Sequence, residues 1–145
     1  MIAGISHITL IVEDLQRSAC FLKTVFNAKE VYSSQERQFS ISHEKFFLIE
    51  NVWICIMKGD SLKERTYNHI AFKISEDDFD SYVERIRYIG VDIHPERSRL
   101  VGEGRSIYFY DFDNHLFELH TGTLEERLDT YSRLDNAHKS FSQNQ

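Results

Sequence analysis

At 145 residues, with one proline, six glycines and 41% hydrophobic residues, the chain is long enough to bury a sizeable core as one domain and is not composed like a disordered segment. Its longest apolar stretch, VWICIM, falls far short of the ~20 residues a membrane helix needs, and a net charge of −6 argues against nucleic acid as the main partner. Cys20 and Cys55 are too few for a disulfide framework, and MIAGISHITL has no basic n-region or cleavage pattern, so the first strand is expected to belong to the mature fold and the protein to the cytoplasm.

Residues 5–12 combine β-branched and aliphatic side chains on both faces, as expected of a strand covered on two sides. Asp14 then has the chemistry of a helix cap, Leu15, Ala19, Leu22 and Phe26 recur at helical spacing, and Asn27 is a suitable left-handed stop. Strands are expected at about 29–33, 38–49 and 52–58. The polar stretch KGDSLKERT makes a joint.

The order then repeats. A strand is expected at 67–74, a serine cap at Ser75, and a helix with Phe79, Val83, Ile86 and Ile89 on its apolar stripe, closed by Gly90. Strands at about 91–94, 105–111 and 115–120 complete the second half. Each half therefore reads βαβββ, module one over about 1–60 and module two over about 65–122, in a single α+β domain covering 1–130. A helix at about 123–134 opens on a capping box of Thr123 and Glu126, and 135–145 are expected to form a flexible tail. A four-stranded half of this size cannot easily cover its own sheet, so the two copies are expected to close around a shared concave surface.

YNHIAFKI repeats the cadence of SHITLIVE, and each strand opens with a histidine, His7 in one and His69 in the other. Two imidazoles with one carboxylate bind a first-row divalent metal and leave positions open for substrate. The carboxylate is expected from Glu118 in NHLFELH, because a carboxylate inside an apolar strand is costly unless something pairs with it. The 49-residue step from His69 to Glu118, taken from His7, ends on Ile56. No second carboxylate, and so no fourth protein ligand, is therefore expected. In PERSRLVGEGR the cations Arg97, Arg99 and Arg105 crowd into a small candidate anion site.

The duplicated βαβββ unit with His, His and Glu at these strand positions resembles the vicinal oxygen chelate superfamily, which includes glyoxalase I, extradiol dioxygenases and fosfomycin resistance proteins. The segments SHITLIV, FFLIENVWICIM, ERTYNHIAF and GEGRSIYFYDFDNHLFELHTGTLEERL look like the FosX type of fosfomycin resistance protein, a manganese-dependent epoxide hydrolase. The resemblance covers about residues 1–130. It implies a module-exchanged homodimer in which His7 of one subunit joins His69 and Glu118 of the other around Mn(II), with other divalent metals as substitutes. It also implies that Thr9, Trp53, Tyr67, Ser106, Tyr108 and Arg127 line a phosphonate and epoxide pocket, with Arg97 or Arg99 adding charge where related thiol transferases place a lysine.

In SISHEKFFLI, Glu44 matches the glutamate that acts as general base in that type. Opening an epoxide with water requires removal of a proton from the water, which a positioned carboxylate performs; a thiol nucleophile has less need of it. Hydration of fosfomycin to an inactive diol is the expected reaction. Thiol transfer is the alternative, followed by non-haem Fe(II) dioxygenase chemistry and non-enzymatic drug binding. Glu126 is a weaker second base whose capping role already accounts for it, and His43, His94, His115, His120 and His138 are expected to be structural or surface residues, His120 being nearest the site by strand parity.

Overall fold

The computed structural model describes residues 1–95 and 100–142. Its first half comprises β1 (His7–Val12), α1 (Leu15–Phe26), β2 (Lys29–Ser33), β3 (Glu44–Ile49) and β4 (Val52–Lys58). The second comprises β5 (His69–Lys73), α2 (Phe79–Ile89), β6 (Ile93–His94), β7 (Ser106–Tyr110) and β8 (Leu116–His120), and α3 (Leu124–Ser142) follows. The strands form two sheets of matching topology, ordered β1-β4-β3-β2 and β5-β8-β7-β6, in which only the β1–β4 and β5–β8 pairs are parallel. The repeated βαβββ reading therefore holds. In each sheet the histidine-bearing strand lies at an edge.

Local chemistry sets the helix ends. The Asp14 carboxylate accepts from the Gln16 and Arg17 amides at 2.8 and 2.9 Å, and Asn27 turns left-handed at φ 53° to end α1. Ser75 acts one step earlier than expected. Its hydroxyl receives the Asp78 amide and donates to the Asp78 carboxylate, so Asp78 becomes the cap residue and α2 starts at Phe79. Thr123 and Glu126 form the expected reciprocal box, with amide-to-side-chain distances of 2.7 and 3.2 Å.

Two boundaries differ from expectation. The strand expected at 38–49 is confined to Glu44–Ile49, because its partners end there: Ser33 pairs with Lys45 and Met57 with Glu44, leaving 38–43 without a ladder. The C-terminal helix does not stop near 134 but continues to Ser142, since LDNAHKS contains no glycine or proline to interrupt it.

One core joins the halves. The inward faces, including Leu10, Ile54 and Ile56 of the first sheet and Ile107, Phe109, Phe117 and Leu119 of the second, pack with the buried faces of α1 and α2. Phe21 and Phe26 of α1 bridge them, with ring centroids 5.2–6.1 Å from Phe109 and Phe117. The joint is tied down by Asp113, which is fully buried and accepts from the Glu13 amide at 2.8 Å and from the Ser18 and Ser61 hydroxyls.

A close crossing of backbones fixes the start of β7 against the end of β8. Gly104 has φ +77°, and a Cβ there would lie 2.5 and 2.7 Å from the backbone N and Cα of Gly122. Gly104→Ala is therefore expected to cost about 2–3 kcal/mol, read as a lower Tm in a thermal melt.

Candidate metal centre

Strand alternation turns the core side chains of each sheet inward and leaves a second face with a different chemistry. On the second sheet that face carries His69 of β5, Glu118 and His120 of β8, and Ser106 and Tyr108 of β7, since Ala71 pairs with Glu118, Tyr108 with Glu118 and Ser106 with His120. His69 Nδ1 lies 2.7 Å from the Tyr67 carbonyl oxygen. A carbonyl only accepts, so Nδ1 carries a proton, and in the neutral ring Nε2 keeps its lone pair. That lone pair faces Glu118 Oε2 at 2.9 Å.

Glu118 is buried at 5% exposure, and Ser106 donates its hydroxyl to Oε1. Burial opposes ionisation, but hydrogen bonds from Ser106 and Tyr108 offset it, and the carboxyl is held below the usual glutamate range. The side chain is therefore an anion facing an imidazole lone pair, and a cation between or beside them resolves the conflict. Two donors each ~2.1 Å from one metal and at right angles to each other are ~3 Å apart. The 2.9 Å pair fits that requirement.

On the first sheet the corresponding face carries His7 and Thr9 of β1, Trp53 and Cys55 of β4, and Glu44 and Phe46 of β3, because His7 pairs with Trp53, Thr9 with Cys55 and Phe46 with Cys55. His7 Nδ1 lies 3.1 Å from the Ser6 hydroxyl and its ring rests 4.5 Å from the Trp53 ring. The ladders also identify Cys55 as the counterpart of Glu118, since Thr9 pairs with Cys55 as Ala71 pairs with Glu118. Counting 49 residues points to Ile56, one place beyond, because β4 follows β1 by one residue fewer than β8 follows β5. Burial, then the charge and hydrogen bond of Glu44, push the Cys55 thiol up to about 11, so it stays protonated near neutrality.

Within one chain, two of the three expected ligands come together. Among the described residues no group of three metal-donating side chains converges, because His7 is on the first sheet and the His69–Glu118 pair is on the second. The other expected residues divide in the same way. Thr9, Trp53 and Glu44 lie with His7; Tyr67, Ser106 and Tyr108 lie with Glu118, the two tyrosine hydroxyls 3.2 Å apart. The buried Trp53 Nε1 has no hydrogen-bond partner among the described residues. Arg127 is half-buried on α3, while Arg97 and Arg99 lie outside the described residues.

His120 belongs more closely to the site than strand parity alone conveyed. Its Nδ1 is 2.8 Å from the Ser106 hydroxyl and 3.7 Å from Glu118 Oε1. The structural expectation fits His115, which pairs with Asp111 at 2.8 Å, and His43, which meets the Ser34 hydroxyl at 3.3 Å. His94 rests on Tyr110, and the side chain of His138 lies outside the described residues.

Residues 4–119 match the family described as Glyoxalase/Bleomycin resistance protein/Dioxygenase superfamily. The chain is 66% identical over 131 residues to the fosfomycin resistance protein FosX of Listeria monocytogenes serovar 1/2a, covering 90% of this chain and 98% of the relative. A crystal structure of a mutant FosX from Listeria monocytogenes, complexed with Mn(II) and 1S,2S-dihydroxypropylphosphonic acid, superposes with a TM-score of 0.83 at 64% identity, over 90% of this chain and 99% of that one. More distant is the metallothiol transferase FosB of Staphylococcus saprophyticus, 33% identical over 145 residues, with 97% of this chain and 91% of the relative covered.

Proposed function

This chain belongs to the Glyoxalase/Bleomycin resistance protein/Dioxygenase superfamily, and from that premise we propose that it is a Mn(II)-dependent hydrolase that opens the epoxide of fosfomycin to a diol and so confers resistance. His7, His69 and Glu118 are the metal ligands in this reading, drawn from both subunits of a module-exchanged homodimer. Support for the dimer comes from the edges: among the described residues β1 and β5 are unpaired on one side, and Ile2, Ile5 and Tyr67 beside them are large exposed side chains. A two-fold axis that sets the first sheet of one subunit against the second sheet of its partner unites His7 with a His69–Glu118 pair twice. The compartment is the cytoplasm, in keeping with two cysteines that are both free.

Bound there, Mn(II) supplies Lewis-acid polarisation of the epoxide oxygen and positive charge for the phosphonate. The remaining work falls to side chains. Thr9, Trp53, Tyr67, Ser106, Tyr108 and Arg127 bind and orient the phosphonate and the ring, with Arg97 or Arg99 adding charge. Glu44 takes a proton from the attacking water as the new oxygen–carbon bond forms at C1 and the C1–oxygen bond of the ring breaks behind it. The ring oxygen remains on C2 and is protonated, and Glu44 returns its proton to solvent, so the sum is addition of one water.

The observation that carries hydration over thiol transfer is the Glu44 carboxylate, 8% exposed and set on the same sheet face as His7. Its side-chain hydrogen bond among the described residues is a long one from the Cys55 thiol, and such burial is otherwise costly for an acid without a task. The deciding measurement is the product formed by the Mn(II)-loaded protein and fosfomycin without any thiol, followed by phosphorus NMR. Diol is expected; absence of diol, with adduct forming only once glutathione or another small thiol is added, would transfer the protein to the other reaction.

A further inference from the structure

The carboxylate on the first sheet has a neighbour that the hydration scheme leaves unused. Cys55 Sγ lies 3.6 Å from Glu44 Oε2 with the thiol as donor, and the Thr9 hydroxyl hydrogen-bonds the same sulfur. The two halves of the molecule show what this contact is equivalent to. Glu44 pairs with Met57 as Ser106 pairs with His120, so Glu44 is the counterpart of Ser106 just as Cys55 is the counterpart of Glu118. In the second sheet the hydroxyl of Ser106 donates across to the carboxylate of Glu118. In the first sheet the same cross-strand pair recurs with the roles interchanged: the carboxylate is on β3 and the donor on β4. A donor–acceptor couple thus occupies the same place in each half, one serving a metal ligand and the other serving the base.

Resting on the hydrolase reading of Glu44, we infer that Cys55 is the positioning residue of the hydration base: its thiol donates to Oε2 and holds the carboxylate so that Oε1 takes the proton of the attacking water. Among the described residues the Glu44 carboxylate has no other side-chain hydrogen-bond partner, so without Cys55 it is free to rotate away from the water. A thiol is suited to this place only while protonated, because a thiolate beside an epoxide is itself a nucleophile and would be alkylated. Burial and the Glu44 charge keep it protonated. The other titratable groups on this face are His7 on β1 and Tyr32 on β2, while Lys45 points away to Glu30 at 2.8 Å and His43 to Ser34.

The test compares Cys55→Ala, Cys55→Ser and Glu44→Gln in the Mn(II)-loaded full-length protein, reading kcat and KM for fosfomycin, Mn(II) stoichiometry and the pH profile of hydration. Cys55→Ala is expected to lower kcat about tenfold at unchanged KM and metal content, and to move the acid limb of the profile to higher pH. Cys55→Ser, which restores a donor, is expected to recover part of that loss. Wild-type kcat and an unmoved acid limb in Cys55→Ala, with Glu44→Gln inactive, would overturn the positioning role and leave the base in place. Full hydration by Glu44→Gln would instead remove the base reading, and this inference with it. If Cys55→Ala does not fold, Cys55→Val supplies a donorless side chain of larger volume, and its equality with Cys55→Ser would likewise overturn the proposal.

Discussion

Glu44→Gln is expected to reduce thiol-independent hydration of fosfomycin by about 10²–10⁴-fold while Mn(II) binding stays intact. Glutamine keeps the shape of the side chain and can still accept from Cys55, so the loss isolates proton removal from positioning. Metal stoichiometry measured on the same sample separates this from a damaged site, because Glu44 is not among the proposed ligands. The same variant gives the sharpest contrast with thiol transfer. A thiolate brings its own negative charge to the ring, so adduct formation with added thiol should survive a change that removes hydration. Equal loss of both activities would show that Glu44 supports the fold of the site instead of abstracting a proton.

His7→Ala and Glu118→Ala proteins are each expected to be inactive as homodimers and to regain activity when their subunits are mixed. If His7 of one subunit meets His69 and Glu118 of the other, a mixed dimer has one site lacking both residues and one wholly intact site. Random exchange makes half of the dimers mixed, so recovery approaches about a quarter of the wild-type rate. Ligands drawn from a single chain would give no recovery at all, since every subunit would lack one of them. Sedimentation of the mixture checks that exchange took place. The expectation follows from the placement of His7 and the His69–Glu118 pair on separate sheets, and from the open edges of β1 and β5.

Metal removal should act on the same pair. With no cation, an ionised Glu118 and the His69 ring still meet at 2.9 Å. Ser106 and Tyr108 favour the charged form of this carboxylate, which suits the proposed half-site to a divalent ion.

Much of this was legible in residue order because it is local. Asp14 and Asn27 bracket α1, Gly90 ends α2, and Thr123 with Glu126 opens α3, each through bonds that span only a few residues. Alternation along β7 and β8 was enough to put Ser106 and Tyr108 on one face and Glu118 with His120 on the same side, and a repeated histidine at the start of β1 and β5 announced the duplication. The types of side chain needed to bind a divalent cation and to take a proton from water are also visible without coordinates.

What the tertiary structure alone decided is which of these residues touch. Pairing across strands depends on the register of a ladder, and register is set by both partners together with the core they cover. That is why Cys55, and not Ile56, stands opposite Thr9, why its thiol reaches Glu44, and why Ser106 draws His120 and Glu118 into one cluster. The same dependence shortened the strand before Glu44, whose neighbours end where it begins, and it divided the three proposed ligands between two sheets, so that a single chain carries only halves of the centre.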